Sequence, residues 1–229
     1  MPIILNIDTA IDTGSVCISS DSNVIAERSN NKQHDHASWI HTAIREVAKE
    51  ADIAITDLDA VAVSNGPGSY TGLRIGLATA KGLCFSLDIP LILLSTLKVM
   101  AAAVIMQKRA EINEPVTLLC PMIDARRMES YFAVYDQGLN EQITPSAIIP
   151  DPDFLSELLE KGKLAFFGNG CMKYRDLITH ENAFFFTDFK YGAGGMALLA
   201  DNSFRKKEFA DKAYSEPFYI KDFYTPGRK

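Results

Sequence analysis

The chain has 229 residues, 47% of them hydrophobic, and a formal net charge of −6. This is enough material for one large or two small globular domains with a buried core, and the acidic balance excludes a chain that leads a sequence-independent grip on nucleic acid, which needs clustered Lys and Arg. Cys17, Cys84, Cys120 and Cys171 lie far apart with no Cys-x-x-Cys pair, a pattern of buried reduced thiols in a cytoplasmic protein rather than of zinc or a disulfide framework.

In chain order, Ile3 to Ile7, Ser15 to Ser20 and Val24 to Arg28 read as three short strands joined by the turn formers Asp12-Thr13-Gly14 and Asp21-Ser22-Asn23. Ile40, Ile44, Val47, Ala48 and Ala51 recur at helical spacing within His36 to Ala51. A strand over Leu58 to Ser64, a glycine-rich loop, a helix to about Ser86 and a strand at Leu91 to Leu94 follow. Leu97 to Arg109 forms a connecting helix, with Glu111-Ile112-Asn113-Glu114-Pro115 as a boundary. The order then starts again. Strands are expected over Val116 to Ile123, Ser130 to Asp136 and Gln142 to Ile148, and helices alternate with strands from Asp153 to about Lys207. The expected division is an α/β unit over 1–96, a second over 97–213, and an extended arm over 214–229. No segment of the signal type precedes the first strand, and the apolar run near Val99 to Met106 falls short of the roughly 18 residues of a membrane span.

Meander-helix-strand-helix-strand is the order of a ribonuclease-H-like unit, and two such units suggest the actin-like ATPase (ASKHA) fold shared by actin, hexokinase and Hsp70. In that fold two phosphate-binding hairpins face each other across a cleft. Asp8-Thr9-Ala10-Ile11-Asp12-Thr13-Gly14-Ser15 occupies the first; the second, Asp124-Ala125-Arg126-Arg127-Met128-Glu129, has no glycine to admit a phosphate against the backbone. Between strand and helix, Gly66-Pro67-Gly68-Ser69-Tyr70-Thr71-Gly72 is consistent either with a tight structural turn or with a nucleotide or substrate loop. It matches neither a dinucleotide loop, a P-loop nor the hydrolase nucleophile elbow.

The sequence resembles the TsaB (YeaZ) family, bacterial proteins required for making threonylcarbamoyladenosine in tRNA. The resemblance covers nearly the whole chain. It is carried by Asn6-Ile7-Asp8-Thr9, Gly66-Pro67-Gly68-Ser69-Tyr70-Thr71-Gly72-Leu73-Arg74-Ile75-Gly76, Asp124-Ala125-Arg126-Arg127-Met128-Glu129-Ser130-Tyr131 and Glu216-Pro217-Phe218-Tyr219-Ile220-Lys221, and is loosest between about Glu160 and Lys212. It implies a catalytically silent paralogue without catalytic residues, metal or cofactor. Such a paralogue pairs with the transferase TsaD, joined by the ATPase TsaE, and meets tRNA only through the complex; the wide apolar face of the first two helices is expected to pair the chain with itself as a homodimer when alone.

The catalytic sister family holds a metal with two histidines four apart on a helix. Here His36 and His41 are five apart, about 140° around a helix, His34 and His36 sit at or before the helix start, and His180 is isolated. That spacing disfavours a metallohydrolase, the activity suggested by the older glycoprotease-like label. A phosphotransferase of the same fold is disfavoured by the second hairpin. Asp8, Asp12, Asp124 and Glu129 either converge as a carboxylate cluster or cap their own turns beside Arg126 and Arg127.

On the second helix Gly72, Gly76 and Ala80 make a stripe of small residues with Leu73, Leu77 and Cys84 beside it. Such a wide apolar perimeter implies burial on both sides. It reads either as core alone or as core plus a protein interface. The resemblance favours the second, because the family and TsaD join through their first two helices. Trp39, Gly72, Leu73, Gly76, Leu77 and Ala80 are the expected contacts.

Overall fold

β1 (Ile3–Asp8), β2 (Gly14–Ser20) and β3 (Asn23–Asn30) form the expected meander. Its register runs from Ile3 opposite Ser20 to Asp8 opposite Ser15. The structure, a computed structural model, describes residues 1–31, 35–112, 117–188 and 191–221. β4 (Ala60–Gly66) lies parallel to β1, and β5 (Leu91–Ser95) parallel to β4, giving a sheet of order β3-β2-β1-β4-β5. β1 and β4 are central and covered on both faces, which is why they are apolar almost throughout instead of alternating. α1 (His36–Glu50) and α2 (Tyr70–Leu87) cover one face, where Ile40, Ile44, Val47, Leu77, Ala80 and Cys84 meet Leu5, Ile7, Val16, Val61 and Val63.

The second unit repeats the plan. β6 (Thr117–Asp124), β7 (Ser130–Tyr135), β8 (Glu141–Ile148), β9 (Lys163–Phe167) and β10 (Ala183–Phe186) stand in the order β8-β7-β6-β9-β10, with β6 antiparallel to β7 and parallel to β9. Two ribonuclease-H-like units of equal strand order make this the actin-like fold. The helices between the last strands of the second unit are short: α4 covers only Ser156–Lys161, and a single turn at Met172–Tyr174 stands after β9. Gly162 ends the former, and Gly168 and Gly170 pack against the Met122 carbonyl and the Ile123–Asp124 peptide where a side chain has no room.

α3 (Thr96–Ile112) runs between the sheets and is apolar around its circumference because both sides are covered. Val99 and Ala102 face Ile4, Ala62 and Ile92 of the first sheet, while Leu97, Met100 and Val104 face Leu119, Ala133 and Phe167 of the second. The proposed boundary partly overlaps this helix, which continues to Ile112; positions 113–115 lie outside the described residues.

The division at 96/97 needs a correction. α5 (Ala197–Lys206) and the turn Ala193–Met196 belong in sequence to the second unit but pack on the first sheet, with Met196, Leu199 and Ala200 against Ile4, Cys17, Ala60 and Leu94. Once α1 and α2 cover one face of that sheet, its other face is as apolar and needs a cover of its own. All four cysteines are buried free thiols; burial pushes Cys84 and Cys171 up to about 11.

Candidate functional site

The glycine loop is closed by its own chain. Gly66 has φ +124°, and a Cβ there would overlap the Phe218 carbonyl oxygen. At Gly68 it would overlap the Ala10 carbonyl, and at Gly72 the Thr9 carbonyl. The Ser69 N–H donates to the Ala10 carbonyl (2.7 Å), and the Thr9 hydroxyl donates to the Gly72 carbonyl (2.7 Å). The first hairpin therefore fills the space beside the loop, and the packing favours the structural reading of its glycines.

The same contacts correct the small-residue stripe. Gly72, Leu73, Gly76, Leu77 and Ala80 are all buried within the chain; Gly76 abuts the Thr9 hydroxyl, Val63 and Ile7. The stripe faces β1 and β4, where close helix-sheet packing demands small residues, and has no surface left for a partner. α2 instead turns Thr71, Arg74, Ala78, Gly82 and Phe85 to solvent, and nothing lies within 4 Å of a methyl placed on Gly82. Trp39 is half-buried, packed on the first core with its ring beside Gly14.

The arm, described as far as Lys221, lies along the flank of α2. Lys81 Nζ donates to the Ala213 and Ser215 carbonyls (2.9 and 3.1 Å), and the Phe218 N–H to the Asn65 carbonyl (2.7 Å). Tyr219 stacks on Tyr70 at 5.1 Å and its hydroxyl accepts from Arg74 Nε (3.0 Å). Lys221 pairs with Glu129 of the second hairpin. Positions 222–229 lie outside the described residues.

The four acidic candidates do not converge. Asp8 is fully buried; its Oδ1 accepts from the Ala10 N–H (2.9 Å) and the Ser64 hydroxyl (2.9 Å), and its Oδ2 from the Tyr191 hydroxyl. Burial raises its carboxyl above the ordinary value although these donors oppose the shift. Tyr191 falls in the stretch where the family pattern is loose, and no motif marks it. The segment before α5 returns to the first sheet and brings Tyr191 to Asp8. Glu129 is engaged by Lys221, and Asp124 by Lys173 (2.7 Å). Burial alone would raise Asp124, but Lys173 and the Arg126 amide more than offset it, so its carboxyl is lowered. His36 is 5% exposed with Nε2 3.2 Å from the Ile11 carbonyl. His41 and His180 are exposed and lie apart from it, and His34 is outside the described residues. Among the described residues no three His, Cys, Asp or Glu side chains gather as a metal site.

Asp12 and Asp124 do face one space, a cavity of about 480 Å3 between the units. The first turn of α2, Ala10 to Asp12, His36, the Asp124–Arg126 hairpin, Tyr131 and Asn169 line it. Arg126, Arg127 and Met128 have φ of 67°, 49° and 62°, a left-handed run that costs about 1–2 kcal/mol per residue without compensation. The compensation is a brace: Lys173 Nζ donates to the Glu129 carbonyl (2.6 Å), the Tyr174 hydroxyl to the Met128 carbonyl (2.6 Å), and the Asp124 N–H to Asn169 Oδ1 (3.0 Å). Asn169 and Lys173 also lie where sequence motifs give no signal. No helix of the described residues is long and apolar enough to cross a membrane.

The family model described as TsaD: tRNA N6-adenosine threonylcarbamoyltransferase matches residues 23–187. The tRNA threonylcarbamoyladenosine biosynthesis protein TsaB of Bacillus subtilis is 34% identical over 178 residues, covering 76% of this chain and 74% of that protein. The protein of the same name from Escherichia coli is 28% identical over 227 residues, covering 96% and 94%. Among solved structures, YeaZ from Pseudomonas aeruginosa superimposes with a TM-score of 0.82 at 22% identity, covering 96% of this chain and 100% of that one. The family-model match reaches into both units and includes the segments Gly66 to Gly76 and Asp124 to Tyr131. The chain belongs to the TsaB (YeaZ) family of tRNA threonylcarbamoyladenosine biosynthesis proteins.

Proposed function

We propose that this chain is the non-catalytic partner and scaffold subunit of the tRNA N6-threonylcarbamoyladenosine transfer complex. It acts in the cytoplasm, binds the catalytic subunit TsaD, is joined by TsaE, meets tRNA only through the complex, and pairs with itself when alone. The observation that carries the reading is Asp8: the strand-end carboxylate of the first hairpin, where a phosphotransferase of this fold needs a group in the cleft, is held inside the protein by Tyr191, Ser64 and the Ala10 amide. A carboxylate so engaged is unable to hold a metal or activate a nucleophile without dismantling its surroundings.

The partner face in this reading is the outer side of α1 and α2, not the inward stripe. Because the chain matches the TsaD family model over 23–187, it shares these helices with its proposed partner, and related faces suit a pseudo-twofold pairing. Ala78 and the open Gly82 allow a facing helix to approach closely, with Phe85, 57% exposed, at the edge.

The test is co-purification with TsaD from the same source, together with a reconstituted tRNA modification assay. Ala78→Arg and Gly82→Arg are expected to abolish co-purification and modification while leaving the melting temperature within a few degrees of the parent. A parent chain that fails to bind TsaD, or Arg variants that bind and support modification normally, would overturn the reading.

A further inference from the structure

The arm touches both units, and its attachments to the two are unequal. Those to the first unit follow one stripe of α2: Tyr70, Arg74, Lys81 and Phe85 fall within about 60° of one another around the helix. Lys212, just before the arm, sets its Nζ 5.8 Å from the centre of the Phe85 ring, and Lys81 holds the Ala213 and Ser215 carbonyls. The Arg74 guanidinium lies 4.1 Å from the centre of the Tyr70 ring while its Nε donates to the Tyr219 hydroxyl. The chain therefore runs antiparallel to α2, from the helix's last turns to its first. From Ser215 to Tyr219 four residues reach at most about 13–14 Å, against a rise of about 16 Å from Lys81 to Tyr70, so this stretch has little slack. Phe218, with its carbonyl on Gly66 and its N–H on the Asn65 carbonyl, fixes it at the glycine loop.

Beyond Tyr219 the chain crosses to the second unit, where Lys221 pairs with Glu129. Tyr70, under Tyr219, and Tyr131, beside Glu129, both line the cavity between the units. Burial pushes the Tyr131 hydroxyl up, with the Glu129 charge adding to the shift and the Lys221 charge opposing it, which places both charges near that wall. Glu129 is a firm post: its carbonyl accepts from Lys173 Nζ (2.6 Å) and from the Ala125 N–H (3.0 Å), and its own N–H donates to the Arg126 carbonyl (2.9 Å).

We infer that the arm is a strap across the rim of the cavity, fastened to α2 and latched to the second unit by Lys221 and Glu129, and that it holds the two units at their spacing. α3 and the segment leading to α5 join the units through the chain itself; the strap adds a releasable tie. The latch is its weak point. The Lys221 and Glu129 side chains are 50% and 20% exposed, and an ion pair so open to water is weak and screened by salt. An aromatic stack, a cation over a ring and four backbone or hydroxyl hydrogen bonds hold the other end, so release leaves the arm on α2. The strap lies within one chain and does not depend on TsaD binding.

The test is the distance between nitroxide labels on Thr56→Cys and Glu157→Cys, exposed positions on the first and second units, read by pulsed electron resonance in the full chain. The four native thiols are buried, and dilution with unlabelled chain suppresses distances between copies. At low ionic strength the parent is expected to give one narrow distribution. Lys221→Gln, Glu129→Gln and the double variant should each shift it outward and broaden it, all three to the same extent, because each removes the same latch. Salt at about 1 M, where the Debye length is about 3 Å, should bring the parent to the distribution of the variants and leave the variants unchanged. Tyr219→Ala, which loosens the fastened end, should act in the same direction, and a thermal melt of each variant confirms that it folds. Lys221→Gln and Glu129→Gln proteins with the parent's distribution, a double variant broadened by the sum of the two, or a parent indifferent to salt would each overturn the inference.

Discussion

Gly76 and Gly82 of α2 are six residues apart, about 240° around the helix, and alanine at the two positions should act in opposite directions. At Gly82 a methyl meets nothing within 4 Å. Only the helix-propensity gain of about 1 kcal/mol applies. At Gly76 the same gain is outweighed, because the methyl overlaps the Thr9 hydroxyl with Val63 Cγ2 at 3.4 Å and Ile7 Cγ2 at 3.6 Å behind it. Thr9 Oγ1 is donating to the Gly72 carbonyl, and displacing it leaves a buried group unpaired at about 1–3 kcal/mol, with about 1–3 kcal/mol more from overpacking. The net expectation is a loss of about 1–5 kcal/mol for Gly76→Ala and a gain of about 1 kcal/mol for Gly82→Ala, each kcal/mol moving the melting temperature by about 2–4 °C in a chain of this size. Urea and thermal denaturation of both variants measure this. A Gly76→Ala protein as stable as the parent, or a Gly82→Ala protein less stable, refutes the assignment of the inward and outward faces.

Asp8 predicts a pH dependence. Burial raises its folded-state carboxyl above the unfolded value, so its contribution to stability is complete below the unfolded pKa of about 3.9 and is lost as pH rises through the folded value. Asp8→Asn removes that loss, so urea midpoints should show the variant gaining on the parent as pH increases from 4 towards 8; a constant difference contradicts the raised carboxyl. Tyr191→Phe removes one donor to that carboxylate, and a double-mutant cycle with Asp8→Asn should give a coupling of about 0.5–3 kcal/mol, whereas additive effects would mean that the hydroxyl and carboxylate do not depend on each other.

The strands and long helices were legible because their signals are local. The apolar runs of β1 and β4 and the period of α1 survive in the structure to within a few residues at their ends. The wide apolar perimeter of α2 was also visible, but the sequence left its small-residue side open between core and interface; Thr9 and the first hairpin, some sixty residues earlier, decide that Gly72 and Gly76 face inward. Gly82 looked unremarkable and is the glycine that faces out. Tyr191 and α5 were illegible for a different reason: a segment belonging in sequence to one unit packs on the other, and neither composition nor spacing encodes which of two apolar sheets a helix covers. The cleft was half legible, in that the missing glycine of the second hairpin was evident, while the brace by Asn169, Lys173 and Tyr174 was not.

The return of α5 to the first sheet has a consequence for synthesis. α3 supplies only Val99 and Ala102 to the face that holds Ile4, Ala60, Ala62 and Leu94, and the rest of its cover is Met196, Leu199 and Ala200, so a chain emerging from the ribosome leaves part of one apolar face of its first sheet uncovered until almost all of it has been made. Such contacts, nearly two hundred residues apart for Ile4, raise the mean sequence separation and slow folding, and the uncovered face is open to association with other nascent chains in the interval. Residues 1–96 do not carry the whole cover of their own sheet, and a fragment ending there would be expected to aggregate unless both α3 and α5 are supplied.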